Sequence, residues 1–218
     1  MKNSPDEQAM YSSQKFKPTY ILIALNVLFY VYTSVAGGNF LETSGDMILR
    51  YGQVNGFVIY YGWYWQLLTS MFVHASIAHL AGNMLFLLIF GLRGEEMFSL
   101  PEYLLIYFLG GLTGNLLSLV FLPLDVPSAG ASGAIFAMFG ACTIYARRSV
   151  GQSIIGALIY AFFLLLLSSG PNVNNSAHIG GLVAGLLIGY VLAIKRKPAT
   201  TYRISYSYLH GLSSLRKG

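Results

Sequence analysis

The chain has 218 residues, 55% of them hydrophobic and 10% charged, with a net charge of +5. Ordinary soluble domains carry about 25% charged residues, so this shortfall, with long uncharged runs, places the sequence among membrane proteins. The single cysteine, Cys142, excludes an internal disulfide framework and a multi-cysteine metal site, and the basic residues lie where membrane anchors belong, not in a nucleic-acid-binding patch.

Six apolar runs have the character of transmembrane helices: residues 20–36, 78–92, 101–122, 131–146, 153–168 and 177–194. They predict an all-α, polytopic membrane domain over 18–195, between a cytoplasmic segment, 1–17, and a basic cytoplasmic tail, 196–218. Lys15, Lys17, the first run and Ser34-Val35-Ala36 imitate a cleavable signal peptide, but the run is long for one and reads as a retained anchor. The stretch between the first two runs is too long for a turn. Its Tyr51, Tyr60, Tyr61, Trp63, Tyr64 and Trp65 form an interfacial aromatic belt, so this loop is expected to be structured and partly embedded.

Orientation follows from the cations. Lys2, Lys15 and Lys17 precede run one, Arg93 follows run two, Arg147 and Arg148 follow run four, and Lys195, Arg196 and Lys197 close run six. Arg203, Arg216 and Lys217 lie beyond, and only Arg50 falls on the opposite side. Positive residues favour the cytoplasm, so both termini are expected there. The lack of a transit-peptide pattern favours a prokaryotic plasma membrane. His210, in the tail, reads as solvated, and the tail as an extension or membrane-surface anchor.

The same cations act as depth markers. At about 1.5 Å per helical residue, Ser132 lies about 22 Å above Arg147, His79 about 21 Å above Arg93, and His178 about 25 Å above Lys195. The three occupy one layer in the outer half of a core about 30 Å thick, where polar groups are costly and point to function. Asn83 follows His79 by four residues and shares its helix face. Phe136 follows Ser132 by four, which puts an aromatic ring beneath the hydroxyl. Run six carries Gly181, Gly185 and Gly189 as a thin stripe, and run four offers Gly133 and Gly140. A contact between these faces would bring Ser132 within reach of His178.

A serine hydroxyl needs a base to become nucleophilic, and histidine serves near neutral pH. Runs four and six hold no Asp or Glu, so a hydrolase built here uses a Ser–His dyad. Asn83, His79 and the Ser132 N–H are then candidate donors to an oxyanion.

The motifs His74-Ala-Ser-Ile-Ala-His79-Leu-Ala-Gly-Asn83, Gly130-Ala-Ser132-Gly133 and Ala177-His178-Ile-Gly-Gly181-x-x-x-Gly185 resemble, in order and placement, the signatures of rhomboid intramembrane serine proteases. The resemblance implies a six-helix rhomboid-like bundle with Ser132 as nucleophile and His178 as general base. It makes His79, Asn83 and the Ser132 N–H the oxyanion hole, and gives His74 a less direct role. Glu95 resembles a structural acid at the inner end of run two. Many relatives carry Trp-Arg where this chain has Trp65-Gln66, and some carry tyrosine at the place of Phe136, which keeps the ring for stacking on histidine. The implied substrates are transmembrane-helix proteins in the bilayer, cleaved without a cofactor. The loop 169–176, rich in Gly, Pro and Asn, is expected to be a mobile lid over a cavity open to the outer side.

Three other readings compete. His74, His79 and His178 offer imidazoles to zinc, but the sequence lacks HExxH and a nearby intramembrane carboxylate. A non-catalytic binder of transmembrane helices would be favoured by loss of the serine or histidine, and both are present. A transporter would be favoured by intramembrane ion pairs or an inverted repeat, neither of which is evident. Nothing in the sequence specifies an oligomeric state.

Overall fold

The structure, a computed structural model, describes residues 17–149, 153, 155, 156, 158, 159 and 173–196. Four helices are long and apolar enough to cross a membrane: α1 (Pro18–Gly37), α5 (Ile77–Met97), α6 (Leu100–Phe121) and α8 (Asn175–Lys195). A fifth long helix, α7 (Ser132–Ser149), covers the expected fourth run. Most of run five, lid residues 169–172, the first 16 residues and the tail from 197 onward, His210 included, lie outside the described residues.

The ends of these helices are chemically specified. Pro18 sits in the first turn of α1, where a missing N–H costs nothing. No side chain of the preceding residue caps that helix, and the Glu95 carboxylate on α5 accepts the Thr19 N–H instead, at 2.9 Å. The acid expected at the inner end of run two thus joins α5 to α1. Ser99 and Glu102 form a capping box ahead of α6. α5 continues to Met97, past the apolar run predicted to stop at residue 92, with Arg93 and Glu96 paired on its exposed side. Arg196, assigned from sequence to the tail, is bonded into the bundle: it donates to the Met97 carbonyl at 2.6 Å and the Tyr145 hydroxyl at 2.9 Å, and pairs with Glu102.

Polarity is arranged for a lipid solvent. On α1 the buried residues include Thr19, Asn26, Thr33 and Ser34, while Leu25, Leu28, Val31 and Val35 are exposed. On α8 the glycines face inward, and Ile179, Val183, Leu187 and Val191 face outward. Water would penalise such surfaces; hydrocarbon does not. The chain is a multi-pass integral membrane protein.

α7 stands in the middle, in contact with α5, α6 and α8. Every residue from 133 to 142 is buried, as befits a helix that is apolar or small on all sides. Its closest partner is α8. A methyl added to Gly181 would lie 2.0 Å from the Gly133 carbonyl oxygen, and one on Gly185 2.0 Å from that of Ala137. One on Gly140 would meet the Leu182 carbonyl oxygen at 2.9 Å. The two backbones touch along the predicted thin faces.

The first loop is structured as expected, but it departs from an all-helical reading. α2 (Gly45–Tyr51), α3 (Asn55–Tyr61) and α4 (Gln66–Thr69) flank β1 (Gln53–Val54), which pairs antiparallel with β2 (Pro127–Ser128) in the α6–α7 connection. Runs of two residues carry no readable period, so the sequence could not reveal this ladder. Buried amides hold the loop together. Gln66 accepts from the Val54 N–H at 2.9 Å and donates to the Leu49 carbonyl at 2.7 Å. Gln53 and Asn55 donate to the Asn115, Ser118 and Leu122 carbonyls of α6 and its C-terminal end at 2.8–2.9 Å. Gln66 is therefore a neutral internal brace of this loop.

Candidate active site

Ser132 is the first residue of α7, and His178 lies one turn into α8. The Ser132 Oγ and His178 Nε2 are 2.8 Å apart. The hydroxyl donates when the imidazole carries its proton on Nδ1. That Nδ1 is buried and finds no hydrogen-bond acceptor among the described residues, so no carboxylate orients the ring. Phe136 does so instead: its ring stacks on the imidazole with centroids 4.5 Å apart and planes at 25°. The glycine contact between Gly133 and Gly181, one residue from the serine and three from the histidine, sets the spacing of the pair.

The residues expected to face a developing oxyanion, His79 and Asn83, line the same cavity as this pair. Ser132 opens α7, so its N–H is among the helix's orphan donors and sits at the positive end of its dipole. Gly130 turns the chain into the helix with φ +134°, a region L side chains rarely enter, while its N–H donates to the Ser70 carbonyl at 2.9 Å. A methyl on Gly130 would lie 3.0 Å from His79 Nε2 and 3.7 Å from Ser132 Oγ, so imidazole and hydroxyl face each other across that glycine. Asn83 uses one amide hydrogen on the His79 carbonyl at 3.0 Å; the second remains for another acceptor.

His74 lies beneath His79, with ring centroids 5.2 Å apart, fully buried and bonded only through Nδ1, to the Phe72 carbonyl at 3.3 Å. Burial, with the neighbouring His79, holds its pKa down at about 3, so the ring is neutral. Among the described residues, no group of three or more His, Cys, Asp or Glu side chains is placed to hold a metal.

A cavity of about 750 Å³ opens beside the pair. Ser132, His178, His79 and Asn83 line it, together with the apolar Phe86 and Phe90 and the polar Ser70, Asn115 and Asn174. The sequence reading missed Phe86 and Phe90, although they follow Asn83 by three and seven residues and so share its helix face. Asn174 was missed. The sequence placed it in a mobile lid, yet its Oδ1 caps α8 on the Ala177 N–H at 3.0 Å, and its Nδ2 reaches Ser118 at 2.8 Å and Ser128 at 2.7 Å. Asn175 and Ser176 already belong to α8. An asparagine ahead of an apolar run is an N-cap signal and pointed to this anchoring.

A family model described as Rhomboid domain matches residues 61–195. Rhomboid protease GluP of Bacillus subtilis (strain 168) is 36% identical over 203 residues, 91% of this chain and 39% of that protein. RHOMBOID-like protein 2 of Arabidopsis thaliana is 40% identical over 139 residues, covering 60% of this chain and 43% of its own. The putative rhomboid protease YdcA of Bacillus subtilis (strain 168) is 33% identical over 143 residues, covering 62% and 71%. The chain thus spans well under half the length of two of these relatives.

Proposed function

The chain belongs to the rhomboid family, and we propose that it is an intramembrane serine endopeptidase that cuts a peptide bond in or near the transmembrane segment of membrane-protein substrates. The observation that carries this reading is the 2.8 Å contact between Ser132 and His178, which together line a cavity. In this mechanism His178 Nε2 takes the hydroxyl proton as Ser132 Oγ attacks the scissile carbonyl. His79, the free amide hydrogen of Asn83 and the Ser132 N–H receive the charge that develops on oxygen. The imidazolium then protonates the leaving amine, and water releases the acyl-enzyme by the same base. Phe136 stabilises the transient cation through its ring face. Gly130, Gly133, Gly181 and Gly185 keep the groups in register.

The same reading has both termini in the cytoplasm and a cavity opening outward. The first loop is partly embedded. A helical substrate pairs its backbone groups internally and must unwind to expose a carbonyl. Glycine near the cleavage site is therefore expected to speed cutting; equal rates for a stable helix and its glycine variant would contradict this. Crosslinking the described end of the predicted lid, at Val173, to α5 is expected to suppress turnover, and unchanged turnover would remove that segment from the gate. Purified protein incubated with a transmembrane reporter, with and without chelator, separates serine from metal chemistry: loss of cleavage on chelation would favour the metal.

A further inference from the structure

Arg196 ties together the far ends of α5, α6, α7 and α8. It follows the last residue of α8, and its guanidinium reaches a partner on each of the other helices. Nη1 donates to the carbonyl of Met97, the last residue of α5, at 2.6 Å, and to the Tyr145 hydroxyl of α7 at 2.9 Å. Nη2 donates to the Glu102 carboxylate in the first turn of α6. The same carboxylate oxygen accepts the Ser99 N–H and hydroxyl at 2.8 Å, so it is itself fixed. The buried Phe98 meets the Tyr145 ring edge-on at 5.1 Å, and the guanidinium lies over that ring at 5.2 Å. A planar cation bonded to several held partners is a directional joint. α5 carries His79 and Asn83, α7 Ser132 and α8 His178, so one side chain links every helix that supplies the proposed chemistry.

Along its middle, α8 meets α7 through Gly181, Gly185 and Gly189, where backbone touches backbone. Beside them, Leu182 and Leu186 pack on Phe136 and Phe139. These contacts set how near the helices come, but apolar attraction is non-directional and does not fix how α8 is turned about its axis. Direction comes from the two ends: from Asn174, bonded to Ser118 at 2.8 Å and Ser128 at 2.7 Å, and from Arg196. His178 and Arg196 are 18 residues apart, five turns at 3.6 residues per turn, and so share one face of the helix. A tilt of α8 about its glycine contact shrinks on the way to His178. A turn about its own axis does not shrink, because it moves the groups of one face alike at every level. With side chains about 6 Å from the axis, a turn of about 10° moves His178 by about 1 Å.

We infer that Arg196 is a positioning residue for the proposed reaction: by fixing the rotation of α8 it holds His178 Nε2 2.8 Å from Ser132 Oγ. Its effect on rate rests on the peptidase reading; its effect on the imidazole rests on geometry alone.

The test compares the full chain, carrying isotope-labelled histidine, with Arg196→Gln, Arg196→Lys and Arg93→Gln. The readouts are the imidazole resonances by NMR and reporter cleavage measured well below each melting midpoint. Arg93→Gln removes a cation one turn before Met97 whose partner, Glu96, lies on the same exposed surface, and is expected to leave both readouts as in the unaltered chain. Arg196→Gln is expected to shift the His178 resonances and to lower kcat about tenfold with KM unchanged. The roughly hundredfold loss of a full ångström is not reached, because Asn174 still holds the other end. Arg196→Lys keeps the charge but not the fork that serves several partners, and is expected to follow Arg196→Gln. A merely stabilising role would lower the melting midpoint and leave kcat and the His178 resonances unchanged. That result would overturn the inference, as would full activity in Arg196→Lys or an equal effect of Arg93→Gln. Shifted His178 resonances in Arg196→Gln, with no reporter cleavage even by the unaltered chain, would uphold the positioning and count against the peptidase reading alone.

Discussion

Replacing Gly181 with alanine probes how the bundle sets the serine–histidine distance. The added methyl would lie 2.0 Å from the Gly133 carbonyl oxygen and 2.8 Å from its carbon, where ordinary contact begins at 3.4 Å. Both atoms are backbone and cannot rotate away, so α8 must retreat from α7 by more than about an ångström. Such overpacking costs about 1–3 kcal/mol. His178 sits three residues before Gly181 on the same helix, so the retreat also opens its 2.8 Å contact with Ser132. Misplacement on the order of an ångström can cost about 10²-fold in rate. Gly181→Ala is therefore expected to lower the thermal midpoint and to reduce reporter cleavage and serine-probe labelling about a hundredfold. Gly189→Ala is the control. Its methyl would meet the Ala141 carbonyl oxygen at 2.5 Å, but about 16 Å along the helix from His178. It should destabilise to a similar degree while keeping most of the turnover. Wild-type rate and stability in Gly181→Ala would refute the reasoning, as would an equal loss of turnover in both variants.

Gly130→Ala forces a side chain into φ +134° and against His79 at 3.0 Å; kcat is expected to fall about a hundredfold with little change in helix content by circular dichroism. Phe136→Leu keeps apolar volume but removes the ring stacked on His178, and should slow serine-probe labelling about thirtyfold, the worth of a desolvated cation–π contact of about 2 kcal/mol. Asn174→Asp keeps the cap oxygen but loses the donors to Ser118 and Ser128, whereas Asn174→Ala loses both. Thermal melts should rank wild type above the aspartate variant and that above alanine, with about 1 kcal/mol between the last two.

Much of this molecule could be read from its sequence where the signal was local or periodic. The apolar runs located α1, α5, α6, α7 and α8 to within a few residues, because hydrocarbon thickness imposes their length. Depth markers placed Ser132, His79 and His178 in one layer, and the stripe of Gly181, Gly185 and Gly189 named the contact that joins two of them. Long-range pairings were not readable. The brace made by Gln66, the β1–β2 ladder and the bridge from Asn174 to Ser118 and Ser128 join residues 12 to 75 positions apart, through side chains and a two-residue backbone ladder that leave no periodic trace. The central position of α7 was equally hidden: its small residues read as one more span, and only packing shows that they are surrounded on every side.

The most direct test of the central claim is cleavage of a transmembrane reporter by purified protein, paired with labelling by an active-serine probe. The account predicts that the unaltered chain cuts the reporter and takes the label. Ser132→Ala should lose both, and His178→Ala should lose cleavage together with most of the labelling rate. Specific cleavage that persists in Ser132→Ala would contradict it.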